Sequence, residues 1–223
     1  MFRSHTWLAP LVLSLVSFSS VEKAIAQTTL PFNANYDTLN TLEFIPNTPG
    51  ILKAVLSGES TDANYGLTQV TGLTYGQFDS NTGIFRFNTD PTAFGLQGFS
   101  QGFVKLFGSN NDSLIGSDEL TGLTDFQNLI VTATGVFNIT GGEGKFRGAS
   151  GTLDLFEFDQ LDPNFDLTQP IRGRVTVSGS FQITPVPEPS YTTTLVGLFG
   201  VGVLWRAKRR GTERISQSNA ENF

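Results

Sequence analysis

Over residues 129–140 the chain alternates with a period of two. Leu129, Val131, Ala133, Gly135, Phe137 and Ile139 fall on one side, and Thr132, Thr134, Asn138 and Thr140 on the other. Residues 174–184 repeat the pattern, with Val175, Val177, Phe181 and Ile183 set against Thr176, Ser178, Ser180, Gln182 and Thr184. Successive side chains of a strand point to opposite faces, so each segment reads as a half-buried antiparallel strand with its apolar face on a core. Further strands are expected at 40–46, 51–57, 67–75, 84–88, 98–107 and 152–158. Between them lie the turn-forming runs Asp79-Ser80-Asn81-Thr82-Gly83, Gly108-Ser109-Asn110-Asn111-Asp112, Gly141-Gly142-Glu143-Gly144 and Asp162-Pro163-Asn164. No part of 27–184 carries a capped 3.6-residue stripe. About eight strands in one domain predict an all-β fold, either a single antiparallel β-barrel or a two-sheet sandwich.

Phenylalanine is the expected core residue, with sixteen of the twenty in residues 27–184. Phe85, Phe87, Phe103, Phe107, Phe137, Phe146 and Phe181 alternate with polar or small neighbours, as buried rings on strands do. Thr71-Gly72-Leu73-Thr74 recurs as Thr121-Gly122-Leu123-Thr124 and is expected to mark two similar hairpin corners. The run Gly141-Gly142-Glu143-Gly144-Lys145-Phe146-Arg147-Gly148-Ala149-Ser150-Gly151 lacks the spacing of a phosphate-binding loop, since Ile139 stands where a glycine is needed and Phe146 where a hydroxyl is needed. It resembles the glycine-rich hairpin of allene oxide cyclase/dirigent-type β-barrels. The resemblance implies a tight connection with Phe146 turned into the core, and it implies no activity.

Both ends of the chain read as targeting segments. Arg3, an apolar run over 7–18, and Ala24 and Ala26 placed three and one residues before Gln27 make 1–26 a removable signal peptide. At the other end Val186-Pro187-Glu188-Pro189-Ser190 lies in a stiff tether (185–190), because each proline fixes its own φ and holds its predecessor extended. An uncharged segment, 191–205, follows and is expected to be a transmembrane helix. Its fifteen residues would make roughly 22 Å of helix against a hydrocarbon core of ~30 Å, so its flanks would snorkel or the bilayer thin. The tail 206–223 opens with Arg206, Lys208, Arg209 and Arg210, a basic stop on the cytoplasmic side. Tripeptide, apolar segment and basic cluster in this order resemble the PEP-CTERM sorting signal. That resemblance implies recognition by an exosortase-type transpeptidase and passage through the cytoplasmic membrane to the cell surface or an extracellular polysaccharide matrix.

The exported part, 27–184, holds seven basic against sixteen acidic side chains, a net of −9, which repels nucleic acid. The chain has no cysteine, and its single histidine, His5, falls in the signal peptide. Disulfides, zinc–thiolate sites and the Ser-His-Asp triad are thereby excluded from this domain. Carboxylates remain, concentrated in Asp154, Glu157, Asp159, Asp162 and Asp166. Asp154, Glu157 and Asp159 are calcium candidates, and a pair of these acids would suit glycoside hydrolysis. The simpler expectation is a solvated strand edge. With no catalytic residue or cofactor assigned, the expected function is a non-enzymatic, membrane-tethered surface or matrix module. The alternative is a secreted carbohydrate-active enzyme or a lipocalin-like small-ligand binder using a barrel mouth.

Overall fold

The alternation over 129–140 and 174–184 forms strands in the computed structural model, which describes residues 27–164 and 169–184. Val131, Ala133, Phe137, Ile139, Val175, Val177 and Phe181 are all buried, on the side the alternation assigns to the core. The strands run in the order β1 (Thr28–Phe44), β2 (Ile51–Glu59), β3 (Gln69–Asp79), β4 (Ile84–Asn88), β5 (Phe103–Phe107), β6 (Ser113–Asp125), β7 (Ile130–Glu143), β8 (Ala149–Gln160) and β9 (Ile171–Ile183). The expected signal peptide with Ala24 and Ala26, the expected tether 185–190, the segment 191–205, the basic tail and Asp166 lie outside the described residues. Among the described residues no helix is long and apolar enough to cross a membrane.

All nine strands join one antiparallel sheet, ordered β2-β1-β9-β8-β7-β6-β4-β3-β5. Because β2 also pairs with β3, and β6 with β5, the hydrogen-bonded ladder returns to its start. The short strands β4 and β5 share one position between β3 and β6. β5 takes Gln69–Leu73 of β3 and β4 takes Tyr75–Asp79. The long connection between them lies over the outer side of β3, where Tyr75 donates to the Ser100 carbonyl at 2.8 Å and meets Phe99 edge-on. The tetrapeptides 71–74 and 121–124 sit inside β3 and β6, not at hairpin corners. Their glycines point inward where neighbouring strands crowd, Gly72 toward Val104 and Gly122 toward Ala133.

The described residues form nine strands against about eight expected: β6 is the added one, and β1 starts well before the expected 40–46, because both carry a diluted signal. In β1, Phe32, Ala34 and Tyr36 alternate inward, but Pro31, Asn33 and Asn35 between them read as loop. Pro31 is tolerated because only β9 pairs with β1 before Asp37, which leaves that edge free of a strand. Side chains of the 60–66 loop occupy the edge instead: Asn64 accepts from the Asn33 amide at 2.7 Å and Asp62 from the Asn35 amide at 2.8 Å. In β6 the inward positions Leu114, Gly116, Asp118, Leu120, Gly122 and Thr124 mix two glycines and an acid into the apolar phase. Residues 98–102, expected as strand, belong instead to the connection before β5.

The two ends of the sheet interior differ. At the end where β1 begins and β9 finishes, with Thr28 opposite Ile183, Phe32, Tyr65, Phe146 and Phe181 form an edge-to-face cluster with ring centres 5.6–6.4 Å apart. Phe146 reaches this cluster from the glycine-rich hairpin, as expected. Positive φ at Gly144 and Gly148 makes that turn, and Lys145 fastens it through its amide and ammonium to Asp112, at 2.9 and 3.0 Å. Among the described residues every strand and the core lie between Thr28 and Ile183, so residues 27–184 carry a hydrophobic core of their own, as an independently folding domain does. The opposite end is bordered by the loops 45–50, 80–83, 126–129 and the described parts of the β8–β9 loop, 161–164 and 169–170, and it is not filled.

A carboxyl-bearing cavity as the candidate functional site

The unfilled end is a cavity of about 1010 Å³. Its walls are mostly apolar, with Leu42 from β1, Leu56 from β2, Phe78 from β3, Phe85 and Phe87 from β4, Leu120 from β6 and Val131 from β7. Interiors normally pack without such voids, so the space is a property of this end of the fold and not of its composition. Phenylalanine is plentiful, but it is divided. Phe32, Phe85, Phe137, Phe146 and Phe181 are buried, whereas Phe44, Phe99, Phe103, Phe126, Phe156 and Phe158 are exposed. Phe103, expected in the core, faces outward on β5 between the inward Val104 and the connection 98–102.

β8 explains how acids enter an apolar space. Leu153 and Leu155 set the inward phase near the packed end, and the same phase carries Glu157 and Asp159 into the cavity. Phe156 and Phe158, out of phase with them, stand 47% and 40% exposed on the outside. The alternation is therefore inverted along this stretch, carboxyls in and rings out. Asp154 lies on the outer face, so the three calcium candidates are split between two faces of one strand. Among the described residues no group of three His, Cys, Asp or Glu side chains could hold a metal ion. Asp162 forms a turn, accepting from the Asn164 amide at 2.8 Å.

The cavity holds a third acid, Asp118 of β6, which sequence reasoning missed. It sits level with the junction of β4 and β5, where neither short strand pairs with a neighbour across the gap. Thr74, between the β5-paired and β4-paired parts of β3, donates its hydroxyl to Asp118 Oδ1 at 3.1 Å, so side chains bridge the place the ladders leave open. From the other side Asn40 of β1 donates to Glu157 Oε1 at 2.7 Å. Asp159 is 6% exposed, and its Oδ1 has no hydrogen-bond partner; Thr124 Oγ1, also lining the cavity, has none either. Gly173 stands opposite Asp159 in the β8–β9 ladder, and a Cβ there would fall on Asp159 Oδ1. The missing side chain on β9 is what gives the acid its place.

Burial governs the electrostatics. Desolvation, with a smaller contribution from the Glu157 charge, pushes Asp118 up to about 7 against an opposing hydrogen bond from Thr74. Desolvation and the same Glu157 charge push Asp159 up to about 8. Glu157 is raised by desolvation, against the lowering effect of the Asn40 hydrogen bond. It keeps some accessible surface because it borders the cavity, yet protein surrounds it closely enough for desolvation to dominate. Among the described residues no Lys, Arg or His lines the space, so none of them compensates the three acids there.

A second depression, of about 1240 Å³, lies where β1, β2 and β9 meet; it is polar and mixed in charge, with the exposed Asp37–Arg174 ion pair at 2.8 Å. The signal for the inner acids was present in the sequence as phase. Asp118 shares parity with Leu114 and Leu120, as Glu157 and Asp159 do with Leu153 and Leu155. Comparison with known protein families, curated proteins and solved structures finds no match for this chain.

Proposed function

We propose that this domain is a β-barrel that binds a small, mainly apolar molecule through one open end. The observation that carries the reading is the cavity of about 1010 Å³, apolar on most of its wall and holding a few convergent polar groups. That volume lies at the upper end of the ~300–1,000 Å³ typical of small-ligand sites. A module serving only for display would gain stability from filling the same space with the phenylalanines it instead exposes outside. We further propose, from the terminal segments, that the chain is exported, sorted by an exosortase-type enzyme and held at the cell surface or in its polysaccharide matrix. The described chain enters the strand circuit at Thr28 and leaves it at Ile183, both at the packed end.

Binding in this reading needs no chemistry of the domain's own. The test is titration of residues 27–184 with an environment-sensitive apolar dye, beside the variant Ala133→Trp, whose ring would occupy the cavity from β7. Saturable binding at one site, abolished in the variant while its cooperative unfolding persists, is the expected result. Dye binding unchanged by Ala133→Trp would end the assignment to this cavity. A second reading, a carboxylate-based hydrolase, draws on the two acids raised to about 7 and about 8. Turnover of aryl glycosides that disappears in Asp159→Asn would favour it over binding alone.

A further inference from the structure

We propose that the ligand of this cavity is an amphiphilic cation, its apolar body lodged among Leu42, Phe78, Phe85 and Val131 and its ammonium group set against Glu157 and Asp159. The proposal rests on the small-ligand reading above and specifies the chemistry of that ligand. Three observations carry it. First, the charged groups that face the space from the described residues are all acids, Asp118 from β6 and Glu157 and Asp159 from β8; Glu43, at the rim from the end of β1, is paired with Lys53 at 2.8 Å. β2, β3, β4, β5, β7 and β9 contribute no titratable side chain to the lining. An anionic amphiphile would meet only repulsion there, and a neutral one would gain little from acids that are costly to bury.

Second, polar atoms are left free. Asp159 Oδ1, an acceptor when ionised, and the Thr124 hydroxyl, which can accept or donate, are buried, border the cavity and have no partner among the described residues. Buried acceptors without donors are rare enough to indicate a missing group, here one that donates hydrogen bonds. An ammonium supplies three donors and the compensating charge, and its hydrogen bonds to carboxylates are about twice as strong as neutral ones. Third, the cation is not a bare metal. No group of three ligating side chains among the described residues could hold one, and the surrounding wall is hydrocarbon. A cation carried on an apolar body satisfies both halves of the site.

Binding should also depend on pH in a defined direction. Without the amine, burial keeps Asp118 and Asp159 protonated up to about 7 and about 8, while the ammonium requires a carboxylate. Affinity therefore rises as pH passes through about 7 to 8, and falls only when the amine itself deprotonates at about 10.

The experiment uses residues 27–184 and displacement of the apolar dye by dodecylamine, dodecanol and dodecanoate, all below micelle-forming concentrations. Dodecylamine is expected to bind about tenfold or more tighter than dodecanol at about pH 8, with dodecanoate weakest. Glu157→Gln and Asp159→Asn should each bring the amine toward the alcohol while the alcohol is unaffected. Asp154→Asn, on the outer face, should change none of the three. Equal or tighter binding of dodecanol or dodecanoate would overturn the proposal and leave the small-ligand reading intact. So would an equal loss of amine affinity in Asp154→Asn, which would place the effect on the acidic surface. If the dye and all three amphiphiles fail to bind a cooperatively folded protein, the small-ligand reading falls with it.

Discussion

Asp118→Asn isolates the energetic consequence of turning acids inward. Asn keeps the shape and still offers an oxygen to the Thr74 hydroxyl, which donates at 3.1 Å in the native protein. What it loses is the titration. In the folded protein Asp118 is raised from 3.8 to about 7, chiefly by desolvation. Between those values the folded state holds a proton that the unfolded state has released, so stability is fully present below about pH 4 and is lost as pH rises through about 7. Moving from 3.8 to about 7 corresponds to a loss of about 4 kcal/mol once both states are ionised. Against a typical net stability of roughly 5–15 kcal/mol this is a large share, and it amounts to about 10 °C in melting temperature for a domain of this size. Urea unfolding of residues 27–184 from about pH 4 to about pH 9 measures it. The native protein and Asp118→Asn should match near pH 4 and diverge upward, the variant being more stable by up to about 4 kcal/mol at about pH 8. Parallel curves, or a variant less stable at about pH 8, would show that the carboxyl is solvated through the mouth and would refute the desolvation argument.

Gly173→Ala should destabilise by about 1–3 kcal/mol, because its Cβ would fall on Asp159 Oδ1 and press on the Phe158 carbonyl. Pairing it with Asp159→Ala should recover part of that loss, and a double-mutant cycle read by urea unfolding gives the coupling. Phe146→Ala should cost about 3–5 kcal/mol, since the ring is buried at the packed end between Tyr65 and Phe181. Dye affinity at the other end should be unchanged in the Phe146 variant, as judged by titration under conditions where it remains folded.

Much of the architecture was legible because strand alternation is a local property. The phases of 129–140 and 174–184 carry their own inside and outside, and β7 and β9 keep them, except that Leu129, expected on the inward face, sits in the preceding turn with φ 57°. The glycine-rich hairpin was legible for a similar reason, since its positive-φ glycines and its one large apolar residue specify a turn and a plug without reference to distant chain. β6 was not, because glycines and an acid replace hydrophobes at its inward positions, and the reasons for them lie elsewhere. Gly122 is shaped by Ala133 of β7, and Asp118 by a gap between two short strands and by Thr74 across it. Likewise the acids of β8 read as a solvated edge when taken alone. Their shared parity with Leu153 and Leu155 points them inward, but only Gly173 opposite Asp159, and Asn40 reaching Glu157 over the intervening strand, show that the interior makes room for them.

The sequence by itself thus determined what depends on neighbours in the chain: antiparallel strands, their turns, and an acidic stretch over 27–184 without His or Cys. The tertiary structure decided what depends on closure of the ladder. Where β2 meets β3, the inward phases of nine strands are brought to face a common interior, and the volume of their side chains fixes how far that interior is filled. At one end four aromatic rings fill it. At the other the side chains are too small or too polar, and the space left over gathers three acids that are dispersed along the chain and carry no shared motif.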